Sequence, residues 1–133
     1  MGKFLTGLVD ELVRFARHQF WLDQPVGEAG SESRRVHLES VARQTKKLPA
    51  GLDGPACPWE LEPVWSLFLE FSQFRRPGFS GPAALCPADM VAWCQLTSRW
   101  PEPWEFDIVA KLDRAYRVAA AKREEQAPEV TDD

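Results

Sequence analysis

The side chains best suited to catalysis or metal binding are few in this sequence and widely spaced. Cys57, Cys86, Cys94 and His37 are zinc-ligand types, but their intervals match no zinc-binding pattern and no Cys-x-x-Cys pair occurs. A thiol nucleophile needs a base beside it, and the sequence places none next to a cysteine. We therefore expect no metal and no cofactor, and three unpaired thiols that are buried or half-buried.

Acidic and basic clusters suggest two further kinds of chemistry. Glu102, Glu105 and Asp107 are spaced closely enough for acid–base catalysis. They lie at the predicted start of a helix, however, where carboxylates interact favourably with the helix dipole, so capping is the preferred interpretation. Arg34-Arg35 and Arg75-Arg76 are candidates for binding phosphate, but no glycine-rich phosphate loop accompanies them. These patterns predict a protein that is not an enzyme.

The six tryptophans are unusual in a chain of 133 residues. Trp65 and Trp93 fall on apolar helix faces and are predicted to lie in the core. Trp59, Trp100 and Trp104 lie beside prolines at boundaries between loops and helices. Such an indole ring either packs over a helix end or stays exposed as an anchor for a binding partner. Both alternatives remain open, and we treat these three residues as candidate partner-binding residues.

Apolar residues recur at spacings of three and four along most of the chain, which predicts an all-α fold. We expect a small bundle of four to five helices with an N-terminal amphipathic helix, and no convincing strand. Prolines 58, 87 and 103 mark helix starts. The predicted segments are the N-terminal helix at 1–22, a linker at 23–33, a helical domain at 34–121 and a charged tail at 122–133.

Two of the predicted helices carry more apolar surface than one core contact requires. The helix within residues 59–74 has Leu67 and Phe74 beside its main apolar stripe, so it is either central to a core or half covered by another chain. The N-terminal helix presents Leu8, Leu12 and Phe15, and it either packs on its own domain or reaches a partner. These five residues complete the candidate partner-binding set.

Charge and hydropathy exclude several classes of partner. The formal net charge of −4 argues against a dedicated nucleic-acid-binding protein. No run of 18 apolar residues occurs, so no transmembrane helix is predicted. A helix that lies on a membrane surface should carry more Lys and Arg on its polar face than the N-terminal helix does, so no membrane partner is expected. Asp10, Glu11 and Arg14 interrupt the apolar N-terminus, which is therefore not a signal-peptide core.

An ordered set of aromatic residues and helix ends between residues 34 and 119 resembles a known family. It comprises His37-Leu38-Glu39, residues 41–45, Pro58, Leu61, Trp65, Phe68-Leu69-Glu70, Ser72, Arg76, Gly78, Gly81-Pro82, Trp93, Leu96-Thr97, Trp104-Glu105, Leu112-Asp113 and Ala115-Tyr116. The set is similar to small tailed-phage and prophage proteins encoded among the tail-morphogenesis genes of siphophages, the tail assembly chaperone-like family. The sequence departs from the family pattern at Thr97-Ser98, where Thr-Gly is common, and at Cys86, where a β-branched or polar cap is usual.

The resemblance implies a non-enzymatic phage protein that binds a tail structural protein during tail assembly. The tape-measure protein and the tube protein are the implied partners, and the host bacterial cytoplasm is the implied location. A hypothesis of a different class is a small acidic phage-encoded inhibitor of a host defence enzyme or host nucleic-acid enzyme. Tail genes on both sides of the coding gene would favour the first, and an accessory locus would favour the second.

Overall fold

The computed structural model describes residues 3–27, 30 and 32–126, with side chains as far as residue 122. Within this part of the chain the structure is mostly helical, which confirms the predicted fold class. It contains five α-helices and a single 3₁₀ turn, Trp59–Leu61, that leads into the third helix. The helices are α1 (Lys3–Leu22), α2 (Arg34–Thr45), α3 (Glu62–Ser72), α4 (Pro87–Thr97) and α5 (Pro103–Gln126).

Two short antiparallel hairpins, which the sequence did not predict, interrupt the helices. In the first, β1 (Pro25–Val26) pairs with β2 (Glu32–Ser33); in the second, β3 (Pro77–Gly78) pairs with β4 (Gly81–Pro82). Strands of two residues leave no room for the apolar–polar alternation that identifies a strand in sequence. The expectation of no strand was wrong for this reason. Gly81 has a φ of 113°, a left-handed conformation that favours glycine.

The helix boundaries follow local signals in the sequence. α2 begins after Ser33, whose Oγ accepts a hydrogen bond from the Val36 N–H at 3.2 Å, and Pro87 occupies the first turn of α4. α5 continues to Gln126, beyond the predicted end near residue 121, because Lys122 and the charged residues after it are good helix formers. The rest of the predicted charged tail, residues 127–133, lies outside the described residues.

The chain divides into two compact units, Met1–Leu67 and Phe68–Asp133, with the boundary inside α3. The first unit is built on the buried stripe of α1, where Val9, Leu12, Ala16 and Phe20 follow one another at helical spacing. The loop at residues 48–58 is fastened to this helix, because His18 Nε2 lies 2.8 Å from the carbonyl oxygen of Gly51. The segment boundaries predicted from the sequence stay a prediction.

The second unit has a core of aromatic and aliphatic side chains from the end of α3, from α4 and from α5. Phe68 and Phe71 are buried at the end of α3, and Cys94 is buried on α4. α5 contributes a stripe with helical spacing, comprising Ile108, Val109, Leu112 and Ala115. Asp113 is the buried charged residue of this core among the described positions, and its partners are described below.

Candidate partner-binding surface

Exposed apolar side chains gather where α4 ends and the chain turns toward α5. Leu96 is 87% exposed and Trp100 is 63% exposed, whereas Trp93, one turn earlier on α4, is half-buried. We use the name Trp100 surface for Trp93, Leu96, Arg99 and Trp100 together with Glu70 on α3. Large apolar side chains at this exposure are available to a partner, and tryptophan is enriched among the residues that dominate binding energy.

The backbone around Trp100 is held at both ends. α4 stops at Ser98, which adopts a left-handed conformation with a φ of 55°. The Thr97 hydroxyl donates a hydrogen bond to the Trp93 carbonyl at 2.8 Å. At the start of α5, the Glu105 carboxylate accepts a hydrogen bond from the Glu102 N–H at 3.0 Å, as predicted for an acidic helix start. Trp100 is therefore presented by a short segment between two capped helix ends.

Arg99 links α3 to α4 across this surface. Its guanidinium carbon lies 4.9 Å from the centre of the Trp93 ring, a cation–π geometry, and its Nη1 is 3.3 Å from a carboxylate oxygen of Glu70. The Arg99 side chain is 59% exposed and that of Glu70 is 39% exposed. Solvent therefore screens the ion pair, and its contribution is to the shape and charge of the surface rather than to stability.

A cluster of aromatic rings supports the Trp100 surface from the core. The Trp93 ring meets Phe71 edge-on at 5.0 Å between ring centres, and Phe71 also stacks on Phe106 at 6.1 Å. Phe74, one of the predicted partner-binding residues, is half-buried and meets Phe71 at 5.9 Å. Trp104, another of these residues, is half-buried at the start of α5. The cluster therefore packs the Trp93 ring of this surface against the core of the second unit.

The predicted partner-binding residues of the first unit have different environments. Trp59 is 76% exposed at the start of the 3₁₀ turn, so its indole ring is also accessible to a partner. Leu8 and Phe15 are half-buried, and the Phe15 ring meets Trp65 edge-on at 5.1 Å.

Leu12 and Leu67 are buried, which corrects their place in the predicted set. Leu12 lies on the stripe of α1 that packs inward, and Leu67 belongs to the apolar majority of α3. Neither side chain is available at the surface.

A buried polar cluster, which we name the Arg75 triad, occupies the interior of the second unit. It consists of Arg75, Asp113 and Tyr116. The Arg75 and Asp113 side chains are each 7% exposed and form an ion pair, and the guanidinium carbon lies 4.4 Å from the centre of the Tyr116 ring. Arg75 Nη1 also donates to the Ala83 carbonyl at 2.8 Å. Asp113 accepts a further hydrogen bond from the Leu85 N–H at 3.3 Å. The triad ties the chain on both sides of β4 to α5.

The neighbouring arginine forms an exposed pair with a different carboxylate. Arg76 donates two hydrogen bonds to Asp89, through Nε at 2.9 Å and through Nη2 at 2.7 Å. The hydrogen bonds and charge of Asp89 raise the pKa of Arg76 above its already high ordinary value. Arg75 and Arg76 are therefore both paired with carboxylates, and so is Arg35, which pairs with Asp23. The fourth phosphate candidate, Arg34, donates hydrogen bonds to the Trp21 carbonyl and to Gln24. No local pattern reveals the buried pair, because 38 residues separate Arg75 from Asp113.

Leu96 and Phe79 are exposed residues that the predicted partner-binding set did not include. Leu96 lies one turn after Trp93 on α4, yet Cys94 is the buried residue of that helix. Phe79 is fully exposed at the turn between β3 and β4. The turn-forming residues around it, Pro-Gly before and Ser-Gly-Pro after, are the signal that places this ring at a loop tip.

The three thiols are buried or half-buried, as predicted, and none is in a disulfide. Burial raises the pKa of the Cys94 thiol, and burial together with the charge of Glu62 raises that of Cys57. A raised pKa lowers the thiolate fraction at neutral pH, which makes both sulfurs weak nucleophiles. Across residues 3–27, 30 and 32–126, no group of three or more His, Cys, Asp or Glu residues is arranged to hold a metal ion.

Comparison with known proteins places most of the chain in one family. Within the described residues, no helix is both long enough and apolar enough to cross a membrane. No curated protein and no solved structure matches the sequence. A family model described as phage tail assembly chaperone matches residues 41–118. This match covers more than half of the chain, including α3, α4 and the segment that carries Trp100. The chain therefore belongs to the phage tail assembly chaperone family.

Proposed function

We propose that this protein binds a tail structural protein, either the tape-measure protein or the tube protein, during tail assembly in the host bacterial cytoplasm. Membership of the tail assembly chaperone family supports a role in tail assembly and a protein partner. It also implies a non-enzymatic role. The Trp100 surface is the observation that supports assigning this binding to particular residues. All of its residues lie within the segment that the family model matches.

The Trp100 surface supports binding through its composition and rigidity. Burying an exposed tryptophan and a neighbouring leucine removes a large apolar area from water. The helix caps and the Phe71 contact fix the backbone and the Trp93 ring before binding, so little conformational entropy is lost when a partner docks. Arg99 and Glu70 provide a polar edge of the kind that surrounds the apolar centre of an interface.

Affinity capture from phage-producing cells, followed by mass spectrometry, tests the proposal. The tagged full chain should retain the tape-measure protein or the tube protein. A double variant, Leu96→Ala with Trp100→Ala, should lose that protein, while Leu48→Ala should keep it because Leu48 is an exposed leucine of the first unit, outside the Trp100 surface.

Three results distinguish the ways in which the proposal can fail. If the wild-type chain captures no phage structural protein, the proposed function is wrong. Capture of a host defence enzyme or nucleic-acid enzyme instead would favour the inhibitor hypothesis. If Trp59→Ala abolishes capture and the double variant does not, the partner binds at Trp59 and the assignment to the Trp100 surface is wrong.

A further inference from the structure

A groove of about 610 Å³ lies beside the hairpin formed by β3 and β4. Its walls are the prolines and glycines of the hairpin together with Ser72, Arg75, Arg76 and Tyr116. Both charged residues of this lining are arginines, and the lining contains no carboxylate. None of these residues belongs to the Trp100 surface, so any ligand of the groove would bind at a separate site.

One donor of Arg75 is left without an acceptor. Nη1 is occupied by the Ala83 carbonyl and by Asp113. Nη2 is buried and has no hydrogen-bond partner, and among the described residues it is the one buried side-chain polar atom in this condition. Stacking on Tyr116 does not satisfy it, because the N–H bonds lie in the guanidinium plane while the ring lies over that plane. Buried donors of this kind are rare in folded proteins and call for an explanation.

The charges around the groove favour a ligand with a single negative charge. Asp113 pairs with Arg75 and Arg117, and Asp89 pairs with Arg76. Three cations and two anions leave one positive charge. A single carboxylate matches this excess of one positive charge, whereas a run of nucleic-acid phosphates exceeds it. Charge-assisted hydrogen bonds from arginine to a carboxylate are short and strong, which suits an unpartnered guanidinium donor.

We propose that this groove binds a carboxylate of a partner polypeptide, with Arg75 Nη2 as the donor. The proline and glycine walls of the hairpin contact the chain that carries the carboxylate, and the exposed Phe79 at the hairpin tip extends the contact surface. Since Nη2 is closed to bulk water, binding of the ligand requires the groove to open locally at Arg75. Binding therefore changes the environment of the hairpin amides as well as that of Arg75.

Nuclear magnetic resonance titration of the isotope-labelled full chain tests this proposal with two matched probes. The first is the tripeptide N-acetyl-Ala-Phe-Ala with a free C-terminal carboxylate, and the second is the same tripeptide as its C-terminal amide. We expect the free acid to shift the Arg75 guanidinium, Gly78, Gly81 and Tyr116 signals along one saturable curve. We expect the amide to bind about tenfold more weakly, because it lacks the charge that strengthens the hydrogen bond.

Two variants test whether the difference in affinity between the acid and the amide arises at Arg75. Arg75→Lys keeps the cation but removes Nη2, and it should abolish the difference between the acid and the amide; its fold is checked from its own amide spectrum. Arg76→Ala changes an exposed arginine of the lining and should alter the affinity for the acid by less than about threefold, as expected for an exposed charge. The comparison of the two probes on the wild-type chain does not depend on whether Arg75→Lys folds.

Several results would overturn the proposal. Equal affinities for acid and amide, or the absence of saturable shifts at the groove, would show that Nη2 takes no carboxylate. Tighter binding of inorganic phosphate than of the acidic tripeptide would show that the groove is not a carboxylate site. The titration uses small peptides and needs no tail protein, so it is independent of the capture experiment. A negative titration would not contradict the proposed role in tail assembly. Capture of a tail protein would not by itself support a carboxylate site in the groove.

Discussion

The second unit contains the same three chemical groups twice, once inside and once at its surface. In the Arg75 triad, an arginine stacks on Tyr116 and pairs with Asp113 in the interior. At the Trp100 surface, Arg99 stacks on Trp93 and pairs with Glu70 in contact with solvent. The geometry of the two cation–π contacts is similar, so the difference between them is burial. Burial decides whether this combination of groups holds the fold together or shapes a surface.

The two arrangements therefore respond differently to the loss of one member. Removing a partner from a buried pair leaves a charge that water cannot reach, which is costly. Removing a partner from an exposed pair returns the other charge to solvent at little cost. The Arg75 triad should accordingly control stability, whereas the exposed group of Arg99, Trp93 and Glu70 should affect binding more than folding.

The largest expected effect comes from Asp113→Asn, which keeps the shape of the side chain and removes its charge. Arg75 would remain buried without a counter-ion, so the free energy of unfolding should fall by about 3–5 kcal/mol. Urea denaturation monitored by circular dichroism measures this change. The matched control is Asp89→Asn, in an exposed pair, with an expected loss below about 1 kcal/mol. Equal losses for the two variants would contradict the distinction between the pairs.

Trp100→Ala should change binding and leave stability almost unaltered. Truncating an exposed anchor is expected to cost about 2 kcal/mol of binding free energy, or about a 30-fold weaker Kd. Isothermal titration calorimetry with the captured tail protein measures this loss. Because the side chain is largely exposed, the free energy of unfolding should stay within about 0.5 kcal/mol of the wild-type value. Substantial unfolding with unchanged affinity would place Trp100 in the scaffold instead.

Gly81→Ala tests whether the left-handed backbone of the β3–β4 hairpin requires glycine. A φ of 113° is strained for alanine, so the free energy of unfolding should fall by more than about 1 kcal/mol. Gly7→Ala is the control, because this helical glycine has open space around the position of a Cβ atom and should gain about 0.5–1 kcal/mol. Denaturant melts should give changes of opposite sign for the two variants, and an unchanged or increased free energy of unfolding for Gly81→Ala would contradict the strain at this position.

The smallest effect is expected for the exposed pair itself. A double-mutant cycle of Glu70→Gln and Arg99→Ala should give a coupling energy below about 1 kcal/mol, which decreases as salt is added. Thermal unfolding at low and high ionic strength measures the coupling. A coupling of several kcal/mol would mean that the exposed pair of Arg99 and Glu70 stabilises the fold as the buried pair of Arg75 and Asp113 does.

The helices could be predicted from the sequence because each helix signal involves residues that are close together in the chain. The stripe of α1, the proline at the start of α4 and the serine cap of α2 each involve residues within a few positions of one another. The short hairpins were missed because each strand has only two residues. The family resemblance from residue 34 onward agreed with the family match over residues 41–118.

The surface was predictable only in part, since exposure depends on contacts between distant segments. Trp100 could be predicted as a candidate partner-binding residue because it lies beside Pro101 at a helix boundary. Leu96, in contrast, has the helical spacing of a core residue and is nevertheless exposed. Leu12 and Leu67 were candidate partner-binding residues with burial as the open alternative, and both are buried. The pairing of Arg75 with Asp113 depends on the tertiary fold, and the unpartnered Nη2 becomes visible only when the atoms are placed.

Complementation of a phage that lacks this gene tests the central claim, that the chain acts in tail assembly through the Trp100 surface. Electron microscopy of lysates counts tailed particles. We expect the deletion to abolish tails, and both the wild-type chain and Leu48→Ala to restore them. The Leu96→Ala, Trp100→Ala double variant should fail while accumulating as folded protein. Normal tails in the deletion strain, or full rescue by the double variant, would contradict the account.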